Sequence, residues 1–188
     1  VREEWQMLAP HTLRIHLCLT QLLVLLLAAT GSALLYDWRE FLAIWHIPAW
    51  PTLLAAAGVA ALAAGWGALL DRWLPARWLD DGAINQRIFQ GLAPLPVFLL
   101  CLLIGVAEEW LFRGVVQPLL GNGWTSLLFT LIHFRYLRKP ILLLSVYATS
   151  YLLGLLFAQS GSLLPPIAAH TLINFVSALL LQKSRAGG

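Results

Sequence analysis

Six apolar stretches, each close to the length that crosses a bilayer, are separated by short polar loops in this 188-residue chain. A hydrocarbon core about 30 Å thick needs roughly 20 apolar residues in a helix. Windows of that length predict helices near residues 17–36, 49–70, 92–120, 124–136, 140–158 and 164–181. The fourth is short, so it is expected to borrow from its flanks or to lie buried among the others. Backbone polar groups have no partner in lipid, so spans of this kind must be helical. The expected fold class is therefore all-α, a polytopic helical bundle of about six transmembrane helices plus interfacial helices. With no repeats or linkers, residues 1–188 read as one integral membrane domain.

Charge agrees with that reading. Only 11% of residues are Asp, Glu, Lys or Arg, and the mean hydropathy is +0.77. Too little polar surface remains to coat a water-facing domain, which excludes a soluble enzyme and a disordered tail. A net charge of +3 does not point to nucleic acid, because the basic residues are scattered between apolar runs. They are instead sorted by side. Arg2, Arg14, Arg72, Arg77, Arg87, Arg135, Arg138, Lys139, Lys183 and Arg185 fall on one side, against Arg39 on the other. By the positive-inside rule both termini are expected in the cytoplasm, with the plasma membrane the expected location. Arg14 and Gly31-Ser32-Ala33 imitate a secretory signal, but the long segment before them, with Glu3 and Glu4, favours a retained span.

Between spans, Trp38, Phe41, Leu42, Trp45 and Ile47 recur at nearly helical spacing beside Asp37, Arg39 and Glu40, the pattern of an interfacial helix. Trp73, Trp78, Ile84, Ile88 and Phe89 suggest the same on the other side. Asp80 and Asp81 read as an exposed acidic turn. Cys18 and Cys101 read as buried free thiols, and His11, His16 and His46 as solvated or headgroup-contacting. Small residues from Ala55 to Gly65 should let the second span pack closely, and Ser150, Gly154 and Ala158 should do the same for the fifth, with packing their whole role.

Ionisable side chains in hydrocarbon cost at least a few kcal/mol, so those inside the spans are candidates for function. They are Glu108, Glu109 and Arg113 in the third span, His133 in the fourth, and His170 with Asn174 in the sixth. At about 100° per residue Glu109 and Arg113 share a face, whereas Glu108 points away from it. His170 and Asn174 also share a face, as do Phe129 and His133. The inference is a polar cluster containing an unpaired carboxylate, two imidazoles and a carboxamide. Such a set can deprotonate water and stabilise an oxyanion. Spacing alone leaves hydrolysis, ion or proton transport and a structural hydrogen-bond network open.

Three motifs narrow the choice. Glu108 to Arg113 reads EExxxR, Phe129 to His133 reads FxxxH, and His170 to Asn174 reads HxxxN. In that order on successive hydrophobic helices, they resemble the signature of the CAAX-protease and bacteriocin-processing family of intramembrane glutamic endopeptidases, which includes the type II CAAX prenyl endopeptidases. The resemblance implies a protease core over about residues 92–182. It implies that Glu108 and His133 activate the attacking water, that His170 and Asn174 stabilise the oxyanion, that Glu109 and Arg113 brace the site, and that Phe129 packs. It implies a metal-free mechanism without cofactor, with zinc on the two histidines and one glutamate the less favoured alternative. The implied partners are the lipid bilayer and a peptide or protein substrate, membrane-anchored or prenylated substrates included. The rival function is a non-proteolytic membrane scaffold or bacteriocin self-immunity factor, in which the cluster only holds helices together.

Overall fold

The computed structural model describes residues 8–79 and 84–186, and among these every regular element is helical. Helix α1 spans Pro10–Leu35, α2 Trp38–Ala43, α3 Trp50–Trp73, α4 Ala76–Leu79 and α5 Ile84–Phe89. Helix α6, Pro94–Glu109, continues through a π-helical stretch, Trp110–Val116, into α7, Gln117–Ile132. A 3₁₀ turn at Phe134–Tyr136 leads to α8, Pro140–Ser160, and α9, Leu164–Ala186. Proline stands in the first turn of α1, α3, α6 and α8, where its missing N–H leaves no helical bond unmade. Pro165 and Pro166 open α9 in the same way.

Five helices are long and apolar enough to cross a membrane: Pro10–Leu35, Trp50–Trp73, Pro94–Ile132, Pro140–Ser160 and Leu164–Lys183. The sequence suggested six, and the difference lies at Gly121. There φ is +76° and ψ 164°, a left-handed backbone that suits glycine, and the chain turns back. The Phe112 and Phe129 rings consequently meet at 4.9 Å, where a straight helix at ~1.5 Å of rise per residue would hold them roughly 25 Å apart. The third and fourth apolar stretches are thus two helical arms that meet at Gly121 with no polar loop between them. The second arm is too short to count alone.

Leu19, Leu23, Leu26 and Leu27 of α1, Leu62 and Trp66 of α3, and Leu144 of α8 are exposed. Apolar surface on that scale is at home only in lipid, so the chain is an integral membrane protein. Helix α9 is the most buried of the spans and packs at three places. Ala178 meets Leu13, Ile88, Phe89, Val97 and Cys101, joining α9 to α1, α5 and α6. Ala169 meets Ala56, Ala60, Leu153 and Leu156 of α3 and α8. Ile167 meets Ile44 and Leu163, with Phe41, Trp45 and Trp110 around them.

Small residues act more selectively than expected. Ala56 and Ala60 do carry the packing of α3, but Gly58 and Gly65 face open space. On α8, Ser150 and Gly154 are buried while Ala158 is exposed. Gly154 is where α7 approaches, and a Cβ there would lie 1.8 Å from Asn122 Oδ1 and 2.7 Å from Gln117 Oε1. Cys101 is buried as expected, whereas Cys18 is exposed on the outer face of α1. His11, His16 and His46 are exposed. Asp37 and Glu40 form a reciprocal capping box at α2, so a helix does stand where the aromatic spacing placed one. Asp80 and Asp81 lie outside the described residues.

Candidate active site

Glu109 ends α6 with its carboxylate wholly buried, and burial of a charge demands a partner. It has two. Arg113 Nε lies 3.0 Å from Glu109 Oε2, and His170 Nδ1 lies 2.7 Å from Glu109 Oε1. Arg113, equally buried, donates from Nη2 to Ser150 O at 2.8 Å and Ser150 Oγ at 3.1 Å, and its guanidinium lies 5.5 Å from the centre of the Phe129 ring. Ser150 is therefore more than a small packing residue. It gives the arginine two acceptors in a place water does not reach.

The face argument holds for the two glutamates. Glu108 turns away from Arg113 and lines a cavity of about 430 Å³ inside the bundle. Its Oε1 accepts a hydrogen bond from Gln21 Nε2 at 3.3 Å, and its Oε2 lies 4.0 Å from His170 Nε2. His170 thus stands between both carboxylates. A carboxylate only accepts hydrogen bonds, so the contact with Glu109 puts a proton on Nδ1 and leaves Nε2 as the nitrogen that faces the cavity. Asn174, one turn along α9, lines the same cavity.

His133 caps the C-terminus of α7 with φ −79° and ψ 51°, just outside the helix. Its Nδ1 donates to the Phe129 carbonyl at 2.7 Å, which leaves Nε2 as its proton-accepting nitrogen. Its ring lies 4.7 Å from the Phe129 ring and 6.0 Å from that of Tyr136, and it too lines the cavity. Phe129 packs between Phe112, Arg113, His133 and His170, the filling role expected of it. All four residues singled out for chemistry therefore share one cavity, although counting from the helix ends set them at different depths. The early end of α7 and the Gly121 turn bring His133 to the others.

Sequence reasoning missed the π-helical stretch, which has one residue more in each turn and recurs at functional sites. The end of α1 and the turn after it hold that stretch in place. Tyr36 Oη donates to Gly114 O at 2.7 Å, and Trp110 Nε1 donates to Ser32 Oγ at 2.9 Å. Burial, and then the nearby Glu40 carboxylate, raise the Tyr36 phenol above its usual range. Gln21 was missed as well. An amide alone in the leucine-rich first span was the available signal. Among the described residues, no three His, Cys, Asp or Glu side chains are grouped to hold a metal ion.

A family model described as type II CAAX prenyl endopeptidase Rce1-like matches residues 90–176. The uncharacterized protein YpbD of Bacillus subtilis (strain 168) is 37% identical over 161 residues, covering 85% of this chain and 85% of that protein. The chain belongs to the Rce1-like family. The stretch matched by the Rce1-like model runs from the loop before α6 into α9 and includes every residue from Glu108 to Asn174. No solved structure matches the chain.

Proposed function

We propose that this Rce1-like protein is an intramembrane endopeptidase that hydrolyses a peptide bond with water activated by Glu108 and His133. The observation that carries the reading is the common cavity. Glu108, His133, His170 and Asn174, drawn from α6, α7 and α9, all line it, while Glu109 and Arg113 stay behind it as a buried brace.

In the proposed reaction, water held between the Glu108 carboxylate and His133 Nε2 gives up a proton as its oxygen attacks the substrate carbonyl carbon. Such base assistance contributes roughly 10²–10⁴ in rate. Negative charge gathers on the former carbonyl oxygen. Asn174 donates to it from its amide, and His170 donates from Nε2 when the ring carries both protons. Nδ1 is already committed to Glu109, so only that doubly protonated ring can donate into the cavity. Collapse of the tetrahedral intermediate breaks the C–N bond, and the proton taken from water passes to the departing amine. No metal takes part in this scheme. Glu109, the carboxylate with the strongest contacts, is already shared between Arg113 and His170.

The basic residues at both termini and in alternate loops support cytoplasmic termini and a plasma-membrane location. A peptide or membrane-anchored protein segment is the proposed substrate. The test is cleavage of a peptide library by protein reconstituted in lipid vesicles, with products read by mass spectrometry. Cleavage that persists in a metal chelator and disappears in Glu108→Ala supports the proposal. Equal cleavage by wild type and Glu108→Ala overturns it and leaves the cluster as a scaffold.

A further inference from the structure

The segment between α3 and α6 does more than connect two spans. Helix α5 lies across one end of the cavity, and Asn85, Ile88 and Phe89 form part of its lining. The helix is tied down from both sides. Arg14 of α1 donates from Nε to Ile88 O at 2.8 Å and from Nη2 to Gln90 O, while Arg87 donates to Leu8 O. From α9, Gln182 Nε2 donates to Phe89 O at 2.7 Å and to Leu92 O at 3.1 Å. Six residues could not hold a fixed place as an isolated helix, so these ties determine where α5 sits.

Asn85 is the residue of this strap that reaches the far wall. Its Nδ2 donates to Tyr136 Oη at 3.3 Å, and its Oδ1 accepts from Arg135 Nη2 at 3.1 Å. Tyr136 belongs to the 3₁₀ turn after His133, and its ring stacks on the His133 imidazole at an interplanar angle of 16°. His133 itself has left the helical ladder of α7. Its ring is oriented by the Phe129 carbonyl on one edge and by the Phe129 and Tyr136 rings on its faces.

We propose that Asn85 is a positioning residue for His133: through Tyr136 and Arg135 it fixes the turn that aims the imidazole into the cavity. Its importance to catalysis rests on the reading of His133 as a base in peptide hydrolysis, but the positioning itself can be measured without a substrate. Carbethoxylation of histidines by diethyl pyrocarbonate, followed residue by residue with mass spectrometry in the reconstituted full chain, reports how freely His133 Nε2 can be reached.

The expected result is a rise in the labelling rate of His133 by at least about threefold to tenfold in Asn85→Ala, the population change that losing even one of its two hydrogen bonds brings. The rate at His170 stays unchanged. Tyr136→Phe, which removes one oxygen and leaves the ring stacked, raises the His133 rate in the same direction. On a cleaved peptide, Asn85→Ala lowers kcat and leaves KM unchanged. An unaltered His133 rate in Asn85→Ala and Tyr136→Phe, or an equal rise at His170, overturns the inference. Undiminished peptide cleavage by His133→Ala instead overturns the protease reading, whatever the labelling shows.

Discussion

Glu109 Oε1 and His170 Nδ1 meet at 2.7 Å where α6 packs against α9, and this contact joins the buried ion pair to the cavity. On one side of Glu109 stands Arg113, anchored on Ser150, and on the other stands the ring whose second nitrogen approaches Glu108. One carboxylate therefore sets both the packing of the third, fifth and sixth apolar stretches and the proton placement of a cavity-facing histidine.

Replacing Glu109 by Ala strands Arg113 without a counter-charge in the protein interior. Breaking a buried pair in this way costs about 3–5 kcal/mol. Thermal unfolding in detergent should show a marked fall in Tm for Glu109→Ala and little change for Glu108→Ala, whose carboxylate borders the cavity. Equal melting of Glu109→Ala and wild type would contradict the bracing role.

Asn174 is expected to act on the transition state and not on the fold. Removal of one oxyanion donor typically costs about 10²–10³ in kcat. Asn174→Ala should therefore lose that much turnover in a reconstituted cleavage assay while melting as wild type does. A change in KM alone would count against the role.

Gly154 tests how closely α7 and α8 approach. A methyl group there meets the side chains of Asn122 and Gln117, which are themselves held by bonds to the Tyr151 and Gly154 carbonyls. Overpacking of this kind costs about 1–3 kcal/mol. Gly154→Ala should lower Tm, and Asn122→Ala, by removing the side chain the methyl group meets first, should recover part of the loss in the double variant.

Tyr36 supplies a pH prediction outside the spans. Its phenol is raised first by burial and then by Glu40, so the folded state favours the protonated, donating form. The stabilisation is fully present below the ordinary tyrosine pKa of about 10 and is lost as pH rises through the higher folded value. Wild-type stability should decline over that alkaline window. Tyr36→Phe should be about 1 kcal/mol less stable at neutral pH, having lost the bond to Gly114 O, and should lack the Tyr36 part of that decline.

Much of this was legible in the chain because lipid leaves few options. Apolar run length set the spans, and the scarcity of charge singled out Glu108, Glu109 and Arg113. The divergence of Glu108 from Glu109 followed from helical geometry and survives in the structure, because the π-helical turn begins only at Trp110. What periodicity could not show was long-range contact. Gln21 reaches Glu108 and Ser150 reaches Arg113 across helices far apart in sequence, and the tie from Asn85 to Tyr136 links α5 to the 3₁₀ turn after α7. The six apolar stretches are all helical, and the third and fourth count as one of five long segments for a local reason. Gly121 reverses the chain without a polar loop, so two arms form one continuous apolar segment.

The central claim is that Glu108 activates water for peptide hydrolysis. The most direct measurement is single-turnover cleavage, by wild type and Glu108→Gln, of one peptide chosen from the library, with both proteins reconstituted and melting alike. The substitution keeps the shape of the side chain and removes its capacity as a base. The account predicts a loss of about 10²–10⁴ in the cleavage rate. A Glu108→Gln rate equal to that of wild type would contradict it.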